Sequence, residues 1–148
     1  MTDFPIRLFA SDAAVRRVGL GLLDRTLPKE DWTHEAHLAT CLWLIDERPA
    51  FVPERDLPDA IRSYNAAVGG VNDDTQGYHE TITQLYIRAI RDFADKCDEA
   101  GPMQRANALV SSEIAARDWP LRFFSRERLF SVAARRGWVE PDLATIGD

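Results

Sequence analysis

Apolar residues along this chain recur at helical spacing, and turn-forming residues cut the pattern into segments. Residues 1–10 read as an extended lead-in, with Pro5 opposing helix and Phe4, Ile6, Leu8 and Phe9 available to pack. Ser11 before Asp12 marks a helix start, a capping hydroxyl followed by a negative charge. That first helix runs to Asp24 or Thr26, ahead of Pro28, and Gly19 and Gly21 allow a close helix contact. Thr33 caps a second helix that extends to Glu47, with Pro49 and Pro53 ending it. Pro58 predicts the first position of a third helix, ending at Gly69-Gly70. After a polar, turn-rich stretch from Val71 to Gly77, a fourth helix spans Tyr78 to Glu99, and Gly101-Pro102 breaks it. A fifth covers 102–117. The remainder, rich in Trp and Phe, reads as short helical turns packed back on the bundle, starting at Ser125 and Ser131. No strand alternation, repeat or linker is visible. The expectation is an all-α, single-domain four- or five-helix bundle over residues 1–148, with its C-terminal segment folded back.

Hydrophobic residues at 45% and charged residues at 28% fit a globular chain of one core. A formal net charge of −6 speaks against nucleic acid as a partner, because a phosphate backbone needs a basic face. No apolar run is long enough to span a membrane, and the start of the chain lacks the basic and apolar regions of a signal peptide. A cytoplasmic address is the expectation. Two distant cysteines, Cys41 and Cys97, read as buried reduced thiols. Homo-oligomerisation is left open.

All three histidines lie in two similar segments, Trp32-Thr33-His34-Glu35-Ala36-His37-Leu38 and Gly77-Tyr78-His79-Glu80-Thr81. At about 100° per residue, His34 falls in the middle of the apolar face of its helix and His37 on its shoulder. His79, placed inside the fourth helix, also falls on the inward stripe. Short antiparallel connections would set helices two and four parallel, bringing the imidazoles together at one pole. A helix N-terminus and burial both favour neutral imidazole. Three readings stay open. One is a divalent metal centre, zinc or similar, on His34, His37 and His79, with Glu80 or Glu35 moving a proton for a hydrolase or transferase acting on a small molecule. Another is a metal-free pocket for a small-molecule ligand, bordered by Tyr64, Asn65, Asp73, Asp74, Tyr78 and Thr83. In the third, the histidines only fix helix packing, in an interaction module.

The two histidine segments resemble those of a group of small bacterial proteins of unassigned function, which carry an aromatic-Thr-His-x-x-His-Leu helix start and a later Gly-Tyr-His-Glu-Thr. The likeness extends to Leu129-Phe130-Ser131 and to Trp138-Val139-Glu140-Pro141-Asp142-Leu143. It implies one compact domain. More loosely, the pattern is similar to DinB-like bundles, which hold a metal on three histidines; this chain lacks their later His-x-x-x-His pair.

Overall fold

The computed structural model describes residues 5–147. Among them are seven α-helices and no strand: α1 (Asp12–Asp24), α2 (His34–Glu47), α3 (Pro53–Ala67), α4 (Glu80–Lys96), α5 (Pro102–Val110), α6 (Arg126–Leu129) and α7 (Val132–Arg136). The fold is all-α, as the periodicity implies. Short 3-10 turns precede α2 at Lys29–Asp31 and follow α5 at Glu113–Ala115 and Trp119–Arg122.

The helix starts follow their capping chemistry. Ser11, Thr33, Ser125 and Ser131 each accept a hydrogen bond from a backbone N–H three residues on. α1 ends where Arg25 turns left-handed at φ 61°, closing the last turn onto the Gly21 and Leu22 carbonyls.

Two boundaries differ from expectation. α3 begins at Pro53, the earlier of its two prolines, so Pro58 lies inside the helix. Having no N–H, Pro58 frees the carbonyl of Glu54 one turn back. Gln84 of α4 donates its side-chain amide to that carbonyl at 3.1 Å, so the helix carries the proline without an orphaned acceptor. α4 begins at Glu80, leaving His79 outside as its cap, with extended backbone. The expected fifth helix stops at Val110, and the chain continues in 3-10 turns.

α2 is the centre of the fold. It packs against α1, α3, α4 and α5, and Leu38, Ala39, Leu42 and Leu44, on different sides of it, are all at most 2% exposed. α2 and α4 run in the same direction: the His34 ring lies beside Tyr86, and two turns later Cys41 feels the charge of Arg91. On the other side of α4, Leu85 joins Trp119, Phe124 and Leu129 in a second apolar cluster. Thr81, fully buried, ties the C-terminal segment down through the Gly137 carbonyl and the Val139 N–H. In the lead-in, Phe9 packs on the core and exchanges two hydrogen bonds with the Asn107 amide. Ile6 and Leu8 are exposed, and Phe4 lies outside the described residues. No helix here is long and apolar enough to cross a membrane.

Gly19 lets α1 approach α2. A Cβ at that position would sit 2.4 Å from the Trp43 ring, which is 5% exposed and cannot swing away. Alanine would add about 1 kcal/mol of helix propensity, but overpacking a filled core costs roughly 1–3 kcal/mol. Gly19→Ala is therefore expected to lower the midpoint of urea unfolding at unchanged slope.

Candidate functional site: a cavity walled by α2, α3 and α4

Trp32 closes the 3-10 turn ahead of α2 and stacks on His37, with ring centroids 3.9 Å apart and planes 31° from parallel. With Thr33 as the cap, these are the positions just outside the helix and one turn inside it, where a staple contact forms. The His37 ring donates from Nδ1 to the Thr33 carbonyl at 2.8 Å. Neutral His37 therefore carries its lone pair on Nε2. Desolvation lowers its pKa to about 4, with repulsion from His34 adding and the Thr33 carbonyl opposing. His37 is nevertheless exposed to solvent. Solvent contact weakens the desolvation, so the downward direction is the firm result.

Beside the stacked pair is an open cavity of about 330 Å³. α2 contributes His34, His37, Leu38, Thr40 and Cys41; α3 contributes Leu57 and Ile61; α4 contributes Ile82, Thr83, Tyr86, Ile87 and Ile90. No Asp, Glu, Lys or Arg side chain lines it. Two buried polar atoms on its lining residues have no hydrogen-bond partner: the indole Nε1 of Trp32 and the Oγ1 of Thr40. A helical threonine ordinarily bonds back to a carbonyl of the preceding turn, and Thr40, 1% exposed, does not. Leaving such a group unpaired costs about 1–3 kcal/mol. Cys41 is no nucleophile: burial raises its thiol to about 12, with Arg91 pulling weakly the other way and Glu54 reinforcing.

The three imidazoles do not form one centre. His34 and His37 share the cavity, but His79 does not line it. His79 Nδ1 accepts the Ile82 N–H at 3.1 Å, so Nε2 bears the proton and donates to the Leu129 carbonyl at 2.7 Å. Both nitrogens are engaged, leaving no lone pair for a metal. His34 donates from Nε2 to the Ala115 carbonyl at 2.9 Å and keeps only Nδ1. Among the described residues, no group of three His, Cys, Asp or Glu side chains is placed to hold a metal ion. The donor set expected for the divalent metal is thus not assembled.

The other expected site residues are dispersed. Glu35, 6% exposed, faces away from the cavity and binds the backbone and guanidinium of Arg7. Burial pushes its pKa up, but hydrogen bonds from its own backbone and from Arg7 win and hold it below the ordinary value. Glu80 accepts the Tyr78 hydroxyl at 2.5 Å and borders a separate surface cleft with Glu54 and Trp138. Neither glutamate lines the cavity that the histidine pair borders. Tyr64, fully buried, donates to the Leu27 carbonyl at 2.8 Å. Asn65 holds Asn72, Asp73 ties its own turn through Thr75 and Gln76, and Asp74 pairs with Arg136. Of the expected ligand-binding residues, only Thr83 lines the cavity, and its hydroxyl donates to the His79 carbonyl.

A second cavity of about 370 Å³ lies between α2 and α5. Its Arg105 spends all five N–H donors on the Asp46 carboxylate and the carbonyls of Ala94, Cys97 and Glu99. Nothing in that guanidinium is left to receive a ligand.

No protein-family model, curated protein or solved structure matches the chain.

Two outcomes follow from the histidine geometry. His79→Ala removes a cap and the bond to Leu129, and should cost roughly 1–3 kcal/mol in urea unfolding. Secondly, His37 and His79 both have pKa values lowered by folding. The unfolded chain takes up their protons first as pH falls below about 6.5. The stability they contribute is whole above that pH and is lost as pH falls through their lowered folded-state values. Thermal unfolding at pH 7, 6 and 5 should fall less steeply for His37→Gln than for the parent chain.

Proposed function

We propose that the protein binds a small organic molecule in the cavity between α2, α3 and α4, and that no metal takes part. One observation carries this reading: a largely apolar cavity whose lining residues include two, Trp32 and Thr40, with a buried polar atom that has no partner in the protein. Ligand sites have this composition, a hydrophobic enclosure with a few polar groups that fix orientation. A volume of about 330 Å³ is at the lower end of such sites. The role of His37 is hydrogen bonding. A ring whose pKa is lowered by its surroundings is neutral at pH 7, with Nε2 able to accept a hydrogen bond.

The test is a thermal-shift screen of small organic molecules, repeated with EDTA and with Ile61→Trp. Ile61 is a partly buried wall residue of α3, and the larger side chain fills the space. A ligand at a hundredfold its Kd adds about 2.7 kcal/mol, which for a domain of this size is a rise of roughly 5–10 °C in Tm. The rise should persist in EDTA and disappear in Ile61→Trp. A rise abolished by EDTA would favour a metal centre instead, and one that survives Ile61→Trp would place the ligand elsewhere.

A further inference from the structure

We infer that the ligand is an uncharged molecule with an apolar body of about bicyclic size, held by its carbon surface and by no ion pair. The inference rests on the cavity between α2, α3 and α4 being the binding site, and it deepens that reading.

Charge is excluded by what the wall contains. Among the described residues, no Asp, Glu, Lys or Arg lines the cavity. Arg91 of α4 is near enough for its charge to act on Cys41, but its guanidinium is committed to both carboxylate oxygens of Glu54. Above the titration range of imidazole the wall therefore holds no fixed charge. A ligand carboxylate or phosphate would lie there without a counter-charge, and an ammonium would meet no anion. Burying an unpaired ion is far costlier than burying a paired polar group.

The ionisable groups of the wall show the same cost. Burial raises the Cys41 thiol to about 12 and moves the Tyr86 phenol upward as well. Desolvation is the leading cause for both, so this surface penalises a negative charge whether the protein or a ligand bears it. For His37 desolvation acts in the other direction and disfavours the cation.

Few polar atoms are left for a ligand. The Thr83 hydroxyl is spent on the His79 carbonyl and His34 Nε2 on that of Ala115. Trp32 Nε1 and Thr40 Oγ1 lie below the accessible surface, where a ligand does not touch them. The His37 Nε2 is free, but His37 is exposed and water can serve it equally. Most of the wall is carbon: Leu57 and Ile61 of α3, and Ile82, Tyr86, Ile87 and Ile90 of α4. Binding to such a wall is driven by removing apolar surface from water on both partners. A cavity of about 150 Å³ takes one benzene ring, and this one is about 330 Å³, the space of two fused rings.

The experiment is equilibrium dialysis of the whole chain at pH 8 against naphthalene, 2-naphthoate and 2-naphthylmethylammonium. The three probes share one ring body and differ in charge. The naphthalene measurement is repeated on Ile61→Trp, and intermolecular NOEs from naphthalene to the Leu57 and Ile87 methyl groups locate the probe without any substitution. We expect naphthalene to bind at least about tenfold more tightly than either ion, to show both sets of NOEs, and to lose its binding in Ile61→Trp. Either ion binding as tightly as naphthalene, and lost in Ile61→Trp, overturns the uncharged assignment and leaves the cavity as a binding site. Naphthalene bound without those NOEs, or undiminished in a folded Ile61→Trp, overturns the inference by placing the probe elsewhere. No binding of naphthalene overturns it too. The cavity reading then survives only if some screened molecule gives a Tm rise that Ile61→Trp removes.

Discussion

The enclosure of α2 governs the rest of this molecule. A helix with neighbours on nearly every side has almost no surface where polar atoms can meet water. Each buried polar group on it must find a protein partner, and most do. Thr33 caps the first turn, Glu35 holds Arg7, and His34 reaches the Ala115 carbonyl. Thr40 finds none. Its position on the cavity wall, beside the half-engaged ring of His37, makes it the point where the packing of the helix and the chemistry of the site meet. A core designed only for stability would gain by placing valine there.

Charge is managed by keeping it outside the cavity. Arg91 with Glu54, Arg105 with Asp46, and Arg136 with Asp74 are all paired away from the space between α2, α3 and α4. The net negative charge of the chain thus does not reach the cavity wall as a carboxylate. What remains there is an indole, two imidazoles, a phenol, a thiol, two threonine hydroxyls and aliphatic surface. Selectivity in such an enclosure comes from desolvation and hydrogen-bond complementarity, with little contribution from long-range attraction.

The local chemistry of helix ends was legible in the sequence. Ser11, Thr33, Ser125 and Ser131 cap where their side chains say they should. The parallel run of α2 and α4 was legible too, because the connections around α3 bring the chain back. Helical-wheel reasoning failed for His79 because that argument presumes the residue is inside the helix. As the cap, its direction is set by extended backbone and by the Ile82 N–H it accepts. The partners of the imidazoles were not legible either. The carbonyls of Ala115 and Leu129 lie 81 and 50 residues from His34 and His79, and only the folded chain brings them close. Trp32 and Thr40 were passed over for a different reason. Their significance is that they lack a partner, and absence of pairing has no sequence signature. The staple position of Trp32 relative to Thr33 was the one available clue to its stacking on His37.

Smooth apolar stripes can slide along one another, since dispersion and desolvation are nearly indifferent to small axial shifts. Between α3 and α4 that indifference is broken by two contacts on Glu54: its carbonyl, which Pro58 leaves bare and Gln84 grips, and its carboxylate, which Arg91 holds. The contacts work as teeth in a ratchet: they set the stagger of the two helices along their axes. Leu57 and Ile61 line the same slot as Ile87 and Ile90, so a proline that looks like a fault in a helix supplies one of the catches that hold its two walls in step.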